Sequence, residues 1–153
     1  MHELIVELKE YHRAKAHHLL DLEKGVASVS ENDSPDNYAK TLKALFEPFL
    51  NTAEASHHCN EETILHELRK TSAPIHRRVD EISGDHRAFD RMIRDISKKL
   101  DDESVGCGEL CASILNFVEI YKDHAAGEES IFFPIADKYL QTSHWQRIHK
   151  AWK

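Results

Sequence analysis

Glycine and proline are scarce in this 153-residue chain, five and four residues respectively. No stretch alternates apolar and polar positions through β-branched residues, so an all-β fold, which needs frequent turns, finds little support. Nothing approaches the roughly 18 consecutive apolar residues of a membrane helix, and MHELIVELKE lacks the apolar core of a secretory leader. The expected setting is therefore the cytoplasm, with no membrane partner. Cysteines number three (Cys59, Cys107, Cys111). That odd count, without a CxxC or zinc-ribbon spacing, argues against a disulfide framework and for a reducing compartment. Lys and Arg total 20 against 27 Asp and Glu, a net charge of −7 with histidines neutral. The basic residues form no stripe, so no nucleic-acid partner is expected. One domain, residues 1–153, fits this length, and a chain of this size buries roughly 68–70% of its extended surface.

What the chain has in excess is histidine, twelve residues in all. Four long segments carry helical periodicity, predicting an all-α fold, an up-down-up-down antiparallel four-helix bundle with a short C-terminal helical tail. The first segment runs from about His2 to Lys24, with Gly25 as its C-terminal cap. The second opens at Ser34-Pro35, an N-cap followed by proline at the first helical position, and runs to about Lys70. Pro48 should kink it or mark a late start. The third follows the start signal Thr71-Ser72-Ala73-Pro74 and ends near Leu100. The fourth spans about Glu109–Phe133, with Pro134 bending or ending it, and Ser143 is the expected cap of the tail.

The two halves of the chain resemble each other. His12-Arg13-Ala14 recurs as His86-Arg87-Ala88, and His57-x-x-x-Glu61-Glu62 recurs as His124-x-x-x-Glu128-Glu129. At about 100° per residue, His57 and Glu61 fall on the apolar stripe of the second helix measured from Phe46, with His58 and Glu62 on the flank or outside. On the fourth helix, His124 and Glu128 face inward with Tyr121, and Glu129 is peripheral. His86 is centred in the apolar stripe of the third helix. His12 is the inward residue of the first, with His18 competing for that place as His58 competes with His57.

Burying charged carboxylates and imidazoles in an apolar bundle is costly unless they are paired or bound to metal. Four histidines and two glutamates from four helices can hold two metal ions, the carboxylates bridging and the imidazoles terminal. Such a donor set, with a position left open, suits iron or manganese. Tyr121 either donates a hydrogen bond to a bridging glutamate or simply packs; Glu62 and Glu129 belong to the rim and tune the site from outside. His2, His17, His66, His76, His144 and His149 read as solvated, and the three cysteines as unpaired thiols.

His12-Arg13, His57-His58-x-x-Glu61-Glu62, Asp85-His86-Arg87 and His124-x-x-x-Glu128-Glu129-x-x-Phe132-Phe133-Pro134 together resemble the hemerythrin-like, or HHE cation-binding, family. The resemblance implies a four-helix bundle around a carboxylate-bridged non-heme centre of two Fe ions, with an oxo or hydroxo bridge in some states. It implies His12, His57, His86 and His124 as terminal ligands and Glu61 and Glu128 as bridges. The oxygen carriers of that family have a further histidine four residues from the one on helix three, and H-x4-D on helix four. Here Ile82 and Asp90 flank His86 at that spacing, and the carboxylate follows His124 by four. This smaller set resembles the iron-sensing and stress-related branch. The implied function is binding or sensing O2, NO or peroxide, or iron status, at an open iron position. The alternative is a di-iron redox enzyme or an iron-donor repair protein acting in oxidative or nitrosative stress, so whether the chain is an enzyme stays open.

Overall fold

The computed structural model describes residues 1–153. It is all-helical and contains no strand. The helices are α1 (Glu3–Ser28), α2 (Pro35–Phe46), α3 (Thr52–Leu68), α4 (Arg77–Leu100), α5 (Cys107–Gly127), α6 (Phe133–Tyr139) and α7 (Thr142–Ala151). A 3-10 turn, Glu47–Phe49, follows α2, and a π-helical turn, Glu128–Phe132, joins α5 to α6. No helix is long and apolar enough to cross a membrane.

Local chemistry explains where the helices break. The Ser34 hydroxyl accepts the Asn37 N–H at 3.4 Å, with Pro35 opening α2. Pro48 has no N–H to continue α2; the chain tightens into the 3-10 turn and restarts at Thr52, so the expected second helix is two. Gly25 does not cap α1, which runs on to Ser28; instead the Leu45 side chain of α2 occupies the space a Cβ would need. The Thr71 signal serves the end of α3 rather than a new start. Its hydroxyl donates to Leu68 O at 2.7 Å and accepts from Ala73 N at 3.1 Å. α4 then opens with the Arg78 N–H donating to His76 Nδ1 at 3.1 Å. Gln141 caps α7 in place of Ser143, through a reciprocal arrangement with His144.

Residues group into two compact units, each with its own core. One comprises Ala14–Asn51 and Arg87–Asp123. Its core is apolar and aromatic: Leu22, Leu42, Phe46, Phe49, Phe89, Ile114 and Phe117 are fully buried, with Phe117 edge-on to Phe46 and Phe49 at 5.3 and 5.2 Å between ring centres. The buried Lys15 ammonium donates to Pro48 O and lies over the Phe49 ring, 4.9 Å from its centre.

The other unit comprises Met1–Arg13, Thr52–His86 and His124–Lys153. Ile5, Leu8, Ile64, Leu65, Leu68, Phe132, Phe133, Ala136 and Ile148 form its apolar core. α3 packs on both α6 and α7 in this unit. Its chain end is held by Trp152 Nε1 donating to Glu7 at 2.9 Å and by two bonds between the Asn60 amide and the Lys153 backbone. Unlike the first unit, it also buries a dense group of histidines and glutamates.

Candidate metal centre

On α3, His57 and His58 precede Glu61 by four and three residues, the two spacings that bring side chains together on a helix. Both imidazoles therefore lie beside the Glu61 carboxylate, and all three residues are buried. His124 stands four residues before Glu128 on α5, at the entry to the π turn. That turn returns the Phe133 N–H to Glu128 O, absorbing one extra residue before Pro134. α1 adds His12 and α4 adds His86, both buried.

The seven side chains form two groups whose ligand atoms lie within 4.8 Å of one another: His12, His57, Glu61 and Glu128; and His58, Glu61, His86 and His124. Glu61 Oε1 faces the first group, 2.7 Å from His57 Nε2 and 3.4 Å from His12 Nε2. Its Oε2 faces the second, 3.1 Å from His86 Nε2. Glu128 does the same: Oε2 is 3.2 Å from His12 Nε2, while Oε1 is 3.0 Å from His124 Nε2 and 3.6 Å from His86 Nε2. Each carboxylate thus presents one oxygen to each histidine group.

An outer ring of carboxylates holds the imidazoles from behind. Glu129 lies 3.1 Å from His12 Nδ1, Glu62 lies 2.8 Å from His86 Nδ1, and Asp85 lies 3.0 Å from His124 Nδ1. A carboxylate accepts, so each Nδ1 is the donor and each Nε2 faces inward, the arrangement that orients ligating histidines. Ser83 donates to Glu62 at 2.7 Å, and Glu54 pairs with His58 Nε2 at 3.2 Å while accepting from the Tyr11 hydroxyl at 2.5 Å. The Tyr11 ring stacks on His57 at 4.0 Å, Phe133 on His12 at 5.7 Å, and His58 on His86 at 4.2 Å.

Electrostatically the cluster is a cage of positive and negative partners. Burial alone would lower the histidine pKa values, but the facing carboxylates outweigh it. The close Glu128 and Glu61 carboxylates hold His12 up at about 10 and help raise His86 to about 11; Asp85 and Glu128 raise His124 to about 9. Burial, joined for Glu128 by the neighbouring Glu61 charge, would raise the glutamates. Even so, the surrounding imidazoles keep Glu61 well below the ordinary range and Glu128 down at about 2. Burial first, then Glu54, pushes the Tyr11 hydroxyl far above its usual value.

These pairs still leave all four oxygens of Glu61 and Glu128, and the His86 Nε2, without a hydrogen bond of acceptable geometry. Buried groups left in that condition are costly. Cations among them would supply the missing partners, and no cysteine joins either group. The residues fit a centre for metal ions.

His12, His57, Glu61, His86, His124 and Glu128, the six candidates from sequence, come together here. His58 joins them rather than lying outside. The helical wheel drawn from Phe46 loses its phase at the 3-10 turn, and the H-H-x-x-E spacing was the better guide. Glu62 and Glu129 are the half-exposed partners of His86 and His12. His18 lies against Phe49, and Tyr121 sits among Phe49, Phe89 and Phe117, both in the other unit. The expectations passed over Asp85, Glu54 and Tyr11 as partners, although Asp85 adjoins His86, Tyr11 adjoins His12 and Glu54 precedes His58 by four.

Fold and site together define an all-helical cation-binding protein. A family model described as the hemerythrin HHE cation-binding domain matches residues 3–136, and the chain belongs to that family. No curated protein and no solved structure matches it.

Proposed function

We propose that the chain is a cytoplasmic non-heme di-iron protein, folded as an up-down-up-down four-helix bundle, that binds or senses O2, NO or peroxide, or iron status. One observation carries this reading: Glu61 and Glu128 each turn one oxygen toward each of two histidine groups, as bridging carboxylates between two ions would. His12 and His57 would hold one ion, and His58, His86 and His124 the other. Imidazole mixed with carboxylate suits iron, whereas structural zinc favours closed, often thiolate-rich, sets. The unbridged thiols support a reducing compartment.

Bound iron would supply Lewis acidity and a one-electron redox change toward a small ligand. The protein's own part is to fix and shield the donors. Glu129, Glu62 and Asp85 hold the Nδ1 protons of three imidazoles and so set which nitrogen faces inward. The group on the His57 side offers two imidazoles, against three on the other, and so leaves more room for an exogenous ligand. A cavity of about 210 Å³, lined by Leu8, Tyr11, Ala53, Ser56, His57 and Asn60 among others, adjoins that side. It suits a ligand of a few atoms.

Anaerobic loading of the full chain with Fe(II) tests the proposal. Two irons per chain by elemental analysis, and stoichiometric uptake of O2 or NO, are expected. Fewer than two irons, or a tightly held single zinc, rejects the dinuclear reading. Sustained consumption of peroxide or NO beyond that of free iron would place the chain with redox enzymes instead of sensors.

A further inference from the structure

The first turn of α5 carries a pair of sulfurs that the metal centre does not use. Cys107 Sγ and Cys111 Sγ are 3.8 Å apart in the unit containing Arg87–Asp123. Cys107 is buried against the apolar core, and Cys111 is partly accessible. We propose that Cys107 and Cys111 form a dithiol site for a soft, trivalent arsenical-type centre, one that takes two thiolates and completes its shell with hydroxide or an organic group.

Geometry decides between this and a disulfide. Cβ atoms four residues apart on a helix are about 5–6 Å apart, whereas a disulfide draws them to about 3.5–4.5 Å. Closing the S–S bond would therefore distort the first turn of α5. A three- or four-coordinate soft centre with bonds of about 2.3 Å to sulfur spans sulfurs roughly 3.4–3.8 Å apart, so it fits without that distortion. Zinc would require further ligands, and both groups of three or more ligand residues lie in the other unit.

The neighbouring chemistry agrees. Burial, then the adjacent Cys107 sulfur, raises the Cys111 thiol to about 11, which makes it a slow target for oxidants that react with thiolates. Condensation with a neutral trivalent hydroxide needs no net ionisation. Two As–O and two S–H bonds break, two As–S and two O–H bonds form, both thiol protons leave in water, and arsenic stays trivalent. Glu31 approaches Gly108 between the two cysteines, and Glu109 follows, so an anionic ligand such as arsenate is disfavoured there.

Phenylarsine oxide on the full-length protein is the test, read by intact mass and by counting free thiols. One arsenic bridge per chain is expected, with titratable thiols falling from three to one. The bridge should withstand excess monothiol and yield to a dithiol. Cys111→Ser, at the more accessible position, should release the arsenical to monothiol roughly 10²-fold faster or more, because the second sulfur no longer binds intramolecularly. Cys59→Ser should keep the stable bridge. A bridge that survives Cys111→Ser, or is lost in Cys59→Ser, overturns the assignment. So does ready closure of a Cys107–Cys111 disulfide by diamide with unchanged helical circular dichroism.

Discussion

Filling the metal centre should expel protons, and the structure says how many. Without cations, the charges of Glu61 and Glu128 are balanced by protons on His12, His86 and His124, held up at about 10, 11 and 9. At pH 7 all three imidazoles should then be charged, and each would have to surrender its inward Nε2 proton before that nitrogen could bind a metal. Loading two divalent cations should therefore release about three protons per chain at pH 7. Three protons also fix the pH dependence: the product of the two binding constants should rise by about three powers of ten per pH unit between pH 7 and 8.5. The assay is calorimetric titration of the metal-free protein with Fe(II), or redox-inert Co(II), in buffers of different ionisation enthalpy. A pH-stat titration then counts the protons directly. The sign is fixed, with apparent affinity increasing as pH rises. Release of one proton or fewer would mean that the imidazoles are neutral in the metal-free cage, and the account of how the glutamates are balanced would fail.

Asp85→Asn removes the carboxylate behind His124 and should weaken metal binding roughly 10–100-fold by competition with a chelator; unchanged affinity would deny Asp85 an orienting role. The metal-free fold should lose stability on both sides of a plateau near pH 4.5–6.5. The raised histidines stabilise fully below their ordinary value of 6.5, and that stabilisation disappears as pH rises through about 9–11. The lowered glutamates stabilise above 4.5, and their contribution disappears as pH falls, toward about 2 for Glu128. Thermal midpoints recorded with a chelator present, if flat or rising from pH 7 to 10, would contradict that linkage. Phe117→Ala empties the centre of the aromatic core and should cost about 3–5 kcal/mol in urea unfolding; a loss below about 1 kcal/mol would mean that the site collapses freely.

Most of the helical order was legible because its determinants are local or periodic. α4 places Val79, Ile82, His86, Phe89, Ile93, Ile96 and Leu100 at alternating three- and four-residue steps, and its end at Leu100 follows from that pattern. Ser34-Pro35 likewise needed no tertiary information. Errors arose where one residue had two physical options. Gly25 can cap a helix or admit a neighbour, and the packing of Leu45 decides for the second. Thr71 can open a helix or close one, and the Leu68 carbonyl, which accepts both its N–H and its hydroxyl, decides for closing. The π turn had no local signal beyond Pro134, since the register it absorbs matters only when Glu128 and Phe132 must both be buried.

The site was legible to the extent that its donors repeat at helical spacing. A wheel assigns each residue to one face of one axis, which suits a carboxylate with a single partner. Glu61 has two sets of partners, and an angular criterion drawn from Phe46 could reward only one of its preceding histidines. With the ends of a carboxylate facing opposite groups, the residues three and four positions before it are both placed to serve, one toward each group. His57 and His58 accordingly fall in different ones of the two groups that could hold an ion. The outer partners were less accessible to any one-helix argument. Asp85 sits on α4 yet positions His124 of α5, and Glu62 on α3 positions His86 of α4. Glu129, one residue beyond Glu128, reaches back to His12 of α1. His12, His86 and His124 are thus each held by a carboxylate from another element of the chain, so the depth of the cage depends on how the helices of this unit pack.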